Sequence, residues 1–503
     1  MTPTPTTIPN GVETRNGDVN VQFYNDEKDV VPATPGTLPD DRYDTLSWWR
    51  VGLRLMVMKN LKAESEWVAA IQNKMRTPWL DSYFVYTSSL GTHTFFMITI
   101  PAICFFGHIE LGNGLIFVLG MGVYLSSFMK DAVCSPRPYS PPVTRLTIGT
   151  HHLEYGFPST HSTNSISIAL YIHSYIRTFF LSGSISPTAY TVSCVLIAWY
   201  GFSIVFGRLY TAMHSFTDCA VGVLLGTAIW AGHELGRDML KTWVSQPGWS
   251  VPLIITVIGL VMVNQHPQPI DDCPCFEDAI AFVSVIMGSL ISQWHGAKYG
   301  FGPAFFSSHM PGSGGDDWAA LSTWWLFAAL KMVVGVLIIF MWRLLAKSVL
   351  HTVLPPVFRL AAHAFTLPTR RFYTPATDYS FVPPEKGLHP IPSVIDLPSH
   401  LGVDVDGFAS GTSLLNNNNP YRVLTARNGY GNEFGKEFSS AEKEWYKSPQ
   451  LEKHDEEEQG DDESVKHYDA DVLTKVLVYE GIGALAAELL PVLFEVLGWG
   501  VHP

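Results

Sequence analysis

Apolar positions gather in long blocks along this chain instead of alternating. Five stretches carry no charged residue at all: residues 83–106, 111–129, 187–206, 243–264 and 279–297. Each is close to the roughly 20 residues that carry a helix across a bilayer. Three more blocks are less clean. Residues 162–181 contain His173 and Arg177, residues 216–236 hold Asp218 and Glu234 near their ends, and residues 318–345 enclose Lys331 with Arg343 near the end. Eight spans are therefore predicted before residue 346. Residues 476–499 are apolar again but carry Glu480, Glu488 and Glu495, and read as either a ninth span or a helix docked on the others. The expected fold class is all-α: a polytopic membrane helix bundle of about eight to nine spans, with polar ends.

The flanking segments fill in the organisation. Residues 1–45 are rich in Pro, Thr and Asp, lack periodicity and show no signal-peptide pattern, which predicts a disordered tail. Residues 46–82 mix Trp48, Trp49, Leu53, Leu55, Met56 and Trp67 with Arg50, Arg54, Lys59 and Lys62. They read as an amphipathic interfacial helix or as a helix packed on a soluble face. Residues 83–345 form the membrane core. Residues 346–475, with Pro355-Pro356, the run Asn416 to Asn419 and an acidic cluster from Asp455 to Glu463, are expected to be polar and largely disordered. Residues 476–503 form a C-terminal apolar helix.

Charge sharpens this division. Residues 88–365 hold 12 Lys/Arg and 12 Asp/Glu, whereas the rest of the chain holds 20 and 33 and so carries the whole net charge of −13. A stretch so poor in charge excludes a disordered chain, and without a basic patch it argues against a nucleic-acid partner. The six cysteines are too scattered for a disulfide framework. Cys104, Cys194 and Cys219 are expected to be inert packing residues. A bridge across the single proline of Cys273-Pro274-Cys275 would be strained, and two sulfurs alone make a poor metal site. No metal and no cofactor are expected.

Ionisable residues at membrane depth are costly and point to function. Here they form three groups. The run from Lys130 to Pro138 closes the second span and places Arg137 seven residues after Lys130; Arg grips phosphate with a planar fork and Lys adds a compact charge. The run from Glu154 to Ser162 opens the third span. Ser159 and Thr160 are suited to cap a helix whose free N–H groups bind anions, and His161 beside them can donate a proton. The run from Gly207 to Asp218 joins spans four and five. If His214 is already helical, Asp218 four residues on lies beside it, fixes its tautomer and leaves the other nitrogen free to attack. Counting crossings puts all three groups on one membrane face. Three cations, two histidines and one orienting carboxylate suit phosphoryl transfer through a covalent histidine intermediate. His151 and His152 lie in the same loop region. Lys331 is expected to pair structurally with a carboxylate such as one of the late glutamates.

Written as patterns, the groups are K-x6-R-P (Lys130, Arg137, Pro138), P-S-x-H (Pro158, Ser159, His161) and R-x5-H-x3-D (Arg208, His214, Asp218). This ordered triplet resembles the type 2 phosphatidic acid phosphatase superfamily, which shares its site with vanadium haloperoxidases. A closer resemblance is to the sphingosine-1-phosphate, or long-chain base phosphate, phosphatases of the endoplasmic reticulum, fungal ones in particular. It is carried by Glu154 to His161, Arg208-Leu209-Tyr210, Met213-His214-Ser215 and Cys273 to Asp278. One departure is Gly207, where the superfamily usually has Ser. The resemblance implies that His214 attacks phosphorus, Asp218 holds its ring, and His161 protonates the departing alkoxide and then activates water. It also implies that Lys130, Arg137, Arg208, Ser159 and Thr160 bind the phosphate oxygens. The implied substrate is a sphingoid base 1-phosphate in the bilayer, and its ammonium calls for an acid such as Glu154 or Asp131. Alternatives are a broader lipid phosphate or polyprenyl diphosphate phosphatase and, more remotely, a transporter or scaffold that only binds lipid phosphate. The resemblance places the site in the lumen of the endoplasmic reticulum, whereas the excess of Lys/Arg in residues 46–82 would place it in the cytosol by the positive-inside rule. Oligomeric state is left open.

Overall fold

The computed structural model describes residues 35–146, 154–302, 304–315, 317–379, 382 and 467–502. Residues 1–34, His151, His152 and the acidic cluster lie outside the described residues. A short α1 (Asp40–Tyr43) leads into α2 (Trp48–Met75) and α3 (Pro78–Ser88). The bundle follows: α4 (His93–Phe105), α5 (Ile109–Val133), α6 (Thr160–Leu181), α7 (Pro187–Tyr210), α8 (Phe216–Val244), α9 (Ser250–Asn264), α10 (Cys275–Tyr299) and α11 (Trp318–Ala362). The chain closes with α12 (Asp469–Ala484), a π turn over Leu485–Leu489, and α13 (Leu490–Val496). Among the described residues the only ladder is a parallel two-residue pair, Tyr373–Thr374 with His467–Tyr468.

The chain is an all-α polytopic membrane bundle. Among the described residues six helices are long and apolar enough to cross a bilayer, and there are seven if α3 and α4, bent by 51° at their junction, are counted as one broken span. Two members of the bundle differ from the rest. α6 has the length, 22 residues or about 33 Å, but devotes one face to buried Ser and Thr. The stretch 243–264 is not one span: α8 runs on to Val244, the chain breaks at Gln246-Pro247-Gly248, and α9 has only 15 residues. α11 continues past residue 345 to Ala362, because Val349, Leu350, Val353, Leu354, Val357 and Leu360 keep that stretch apolar.

Side-chain caps set the helix starts. Thr77, Ser159, Ser186 and Asp317 each accept a backbone N–H of the first turn of α3, α6, α7 and α11. α5 and α10 are central, with 67% and 72% of their most apolar stretches buried, against 17% for the outer α7 and α11. α6 and α8 approach closely because α8 shows glycine there: a Cβ on Gly226 would lie 2.3 Å from the Thr163 carbonyl oxygen.

Cys273 and Cys275 are joined as a disulfide across Pro274, with their Cα atoms 5.4 Å apart. One expectation changes. Lys331 donates to the backbone carbonyl of Gly500 at 2.6 Å instead of to a carboxylate; Glu495 is taken up by the backbone N–H groups of Ser307 and Ser308.

Candidate active site

α5 ends, α6 begins, α7 ends and α8 begins at the same end of the bundle, so the three polar groups meet there. The backbone locks them together. Ser159 N–H donates to the Asp218 carbonyl at 3.1 Å, and Gly156 N–H donates to the Ser135 carbonyl at 2.8 Å. A Cβ on Gly156 would lie 2.6 Å from the Pro136 carbonyl oxygen, so only glycine permits this approach.

His214 lies in the loop before α8 and is buried. Its Nδ1 is 2.8 Å from the Gly156 carbonyl oxygen and its Nε2 is 3.2 Å from Arg137 Nη1. A carbonyl only accepts and a guanidinium only donates, so the proton sits on Nδ1 and Nε2 presents its lone pair. Burial, followed by the charges of Arg137, Arg208 and Lys130, holds the ring well below its ordinary pKa, which keeps it neutral. The expected partner of Nδ1 was Asp218. The structure gives that contact to Gly156, with Asp218 Oδ2 behind it at 3.8 Å. The reason is local: His214 precedes the helix, and the Asp218 carboxylate closes a capping box with Ser215, accepting its N–H at 2.8 Å while Ser215 Oγ accepts the Asp218 N–H at 3.2 Å.

Lys130 and Arg137 converge on one carboxylate, Glu154. Lys130 Nζ contacts Glu154 Oε2 directly, Arg137 Nη2 lies 3.8 Å from the same oxygen, and Arg137 Nε donates to the Glu154 carbonyl at 3.0 Å. Arg137 Nη1 also donates to the Met213 carbonyl at 2.8 Å. Burial pulls Arg137 below its ordinary value, against the attraction of Glu154 and Asp218. Arg208, buried on the last turn of α7, lies within electrostatic range of Arg137 and Glu154, and its Nε has no hydrogen-bond partner among the described residues. Ser159 caps α6 and its Oγ accepts from Ser162 N and Ser162 Oγ; the buried Thr160 Oγ1 beside it is likewise without a partner among the described residues. His161 is within electrostatic range of His214 and packs against the turn after α3, where a Cβ on Gly91 would lie 2.9 Å from its ring. Every predicted site residue is thus gathered at one end. Asp131 turns elsewhere, to His266 Nδ1 at 3.5 Å and to the Cys273–Cys275 turn. A Cβ at Gly207 would lie 3.2 Å from the Phe84 ring, so a serine there would need that ring to give by a few tenths of an ångström.

Sequence reasoning missed the contribution of α2. One face exposes Trp48, Leu55, Met56 and Trp67, whereas the other buries Arg54, Glu64, Ser65 and Gln72. Arg50 donates to the Asp131 and Ala132 carbonyls at 2.5 and 2.8 Å, and Arg54 to the Cys134 carbonyl, so two cations cap the C-terminus of α5. Glu64 accepts Thr217 N–H at 3.0 Å and Thr217 Oγ1 at 2.5 Å, placing an acid at the N-terminus of α8. Gln72 ties the Thr144 and Tyr210 carbonyls at 2.7 and 2.9 Å. The signal was a helical stripe, Arg54, Val57, Leu61, Glu64, Val68 and Gln72, in which polar residues share the apolar face.

The family model described as the PAP2 superfamily matches residues 112–234, the stretch from α5 to α8 that carries all three groups. A dihydrosphingosine 1-phosphate phosphatase of Schizosaccharomyces pombe is 35% identical over 312 residues, 62% of this chain and 72% of that protein. One of Saccharomyces cerevisiae is 32% identical over 335 residues, 65% of this chain and 78% of that protein. The lipid phosphate phosphatase delta of Arabidopsis thaliana is 28% identical over 244 residues, 46% and 57% of the two chains. No solved structure matches. With the family model laid over the helices that assemble the polar end, and fungal relatives aligned over more than two thirds of their length, this chain belongs to the PAP2 superfamily.

Proposed function

We propose that the chain is a lipid phosphatase that hydrolyses sphingoid long-chain base 1-phosphates by way of a phosphohistidine. The observation that carries this reading is the double engagement of Arg137, which faces His214 Nε2 at 3.2 Å while sharing an anion with Lys130. A neutral imidazole whose Nε2 lone pair is held by an anion-binding guanidinium becomes a nucleophile for phosphorus once that N–H turns to a phosphate oxygen.

The chemistry runs in two displacements. His214 Nε2 attacks phosphorus, the bond from phosphorus to the ester oxygen breaks, and His161 passes its proton to the departing alkoxide, which leaves as the free long-chain base. Lys130, Arg137 and Arg208 neutralise the charge spread over the equatorial oxygens, with Ser159, Thr160 and the N-terminal N–H groups of α6 completing the cradle. Water, losing a proton to His161, then attacks the phosphohistidine. The P–N bond breaks, inorganic phosphate leaves, and His214 returns neutral. Gly156 and Asp218 keep its Nδ1 proton in place throughout.

The substrate class is supported by the names of the fungal relatives and by Glu154, a carboxylate at the cation pair suited to an ammonium-bearing lipid. A multi-pass bundle with the three polar groups gathered at one end supports a substrate whose phosphate is the headgroup of a membrane lipid. We place the protein in the endoplasmic reticulum with that face toward the lumen. The test uses the full chain in detergent with dihydrosphingosine 1-phosphate as substrate. Wild type is expected to release phosphate and to form an acid-labile phosphoprotein, and His214→Ala to lose at least about 10³-fold in kcat, with no phosphoprotein. A His214→Ala protein of full activity sinks the mechanism, and binding without phosphate release would mark a scaffold. Latency of activity in sealed microsomes tests the lumenal site.

A further inference from the structure

We propose that Glu154 is a displaceable resident anion of the phosphate cradle, and that its carboxylate passes from Lys130 and Arg137 to the substrate's ammonium when the phosphate enters. This inference rests on the sphingoid substrate reading above.

Position is the first argument. Glu154 Oε2 lies where Lys130 Nζ and Arg137 Nη2 converge, on the guanidinium whose Nη1 faces His214. A phosphate in line with His214 Nε2 places its oxygens against that same guanidinium. The carboxylate therefore stands where a phosphate oxygen must go. Charge is the second argument. Three cations, Lys130, Arg137 and Arg208, face two acids, Glu154 and Asp218. A phosphate dianion reverses the local sign, and a carboxylate left beside it is repelled unless a new cation arrives. A sphingoid phosphate brings one, on the carbon next to that bearing the ester; phosphatidate and lysophosphatidate bring none.

The local build permits the exchange. The Glu154 carbonyl is pinned by Arg137 Nε, so the backbone stays while the side chain turns about its own bonds. Its side chain is 15% exposed, against 2% for Lys130 and 3% for Arg137, so it is the most solvent-accessible of the three. The other candidate acid, Asp131, is directed to His266. Glu154 is thus a specificity residue: in the free enzyme it neutralises the cations, and in the complex it selects for an amine beside the phosphate.

The experiment compares wild type and Glu154→Gln in detergent on dihydrosphingosine 1-phosphate and its N-acetyl derivative, which lacks the ammonium. With Gln, kcat/KM is expected to fall roughly 10–100-fold on the amine substrate and to hold or rise on the acetylated one. Inorganic phosphate is expected to inhibit the variant more tightly than wild type. These opposite signs are what a folding defect does not produce. An equal loss on both substrates, or unchanged phosphate inhibition, overturns the proposal. A wild-type arm needs no variant: free dihydrosphingosine is expected to strengthen inhibition by inorganic phosphate, and its N-acetyl derivative is not. Absence of that synergy overturns the proposal. A wild type with no preference for the amine substrate overturns the substrate reading and this inference together. A preference that survives Glu154→Gln overturns this inference alone.

Discussion

Among the described residues two lysines are buried in apolar helices of this bundle, and the protein treats them differently. Lys130, on the last turn of α5, is 2% exposed and meets a carboxylate that it shares with Arg137; Lys331, inside α11, is 0% exposed and meets the Gly500 carbonyl, with the rings of Phe106 and Phe494 5.1 and 5.5 Å from its ammonium. Both solve the same problem, since a charge withdrawn from water needs a partner. The solutions are not equivalent. A main-chain carbonyl cannot leave, so Lys331 is a fixed tie between α11 and the C-terminal segment. A glutamate side chain can be exchanged for another anion, which suits Lys130 to the site proposed above. The depth of the charge does not separate site from scaffold; the nature of its counter-group does.

The largest effect expected from this contrast is at Lys130. Lys130→Met keeps the volume apolar and removes one cation from the cradle. A loss of roughly 10²–10³-fold in kcat is expected, as for removal of one donor to a developing anion. The sign of the pH response is also fixed. Lys130 is one of the charges holding the His214 ring below its ordinary range, so without it the ring protonates more readily. The acid limb of the residual activity is expected to move up in pH, and the pH profile of kcat checks it. An acid limb that stayed in place or moved down would separate Lys130 from His214 and break the comparison.

Much of the candidate site's geometry is legible in the sequence alone. The helix-ending position of Lys130 and Arg137, the cap at Ser159 and the closeness of His214 and Asp218 all follow from local spacing and the counting of crossings. What was not legible depended on atoms without sequence identity. Any residue at position 156 has a carbonyl, and only the fold turns that one toward His214 Nδ1. Span 243–264 failed for a related reason: hydropathy reads the apolar Trp243 and Val244 as part of the next block, while hydrogen bonding keeps them in α8. Lys331 was paired in expectation with a glutamate because charge is visible in a sequence, whereas the Gly500 carbonyl that receives it is not. For α2 the signal was present. Polar residues at a 3.6-residue period on an apolar face belong to a helix docked on backbone ends, which an interfacial helix facing headgroups does not need.

Glu64 on that helix offers a smaller test between site and scaffold. It touches neither His214 nor the cations, yet it caps the helix that carries Asp218. Glu64→Gln keeps an acceptor for Thr217 and removes the charge from the N-terminus of α8. The expected cost is roughly 5–20-fold in kcat with little change in KM or in inhibition by inorganic phosphate, the pattern of a positioning residue. Loss of phosphate binding to the same degree would mean that α2 shapes the cradle itself.

Lys331→Met completes the contrast with the smallest expected effect on turnover. The substitution strands the Gly500 carbonyl, which costs on the order of 1–3 kcal/mol, but it also removes the need to bury an ammonium, and the two changes offset each other. Methionine fills the lysine stem's place between Phe106 and Phe494. Activity is expected within about twofold of wild type, with the thermal midpoint in detergent shifted by only a few degrees, as about 1 kcal/mol or less shifts a chain of this size. The paired measurement matters more than either alone. If both lysine variants lose activity together, burial of charge itself sustains the bundle and the site loses its distinction. If Lys130→Met is inactive but folded while Lys331→Met works, then an exchangeable counter-ion is what marks the catalytic end of the molecule.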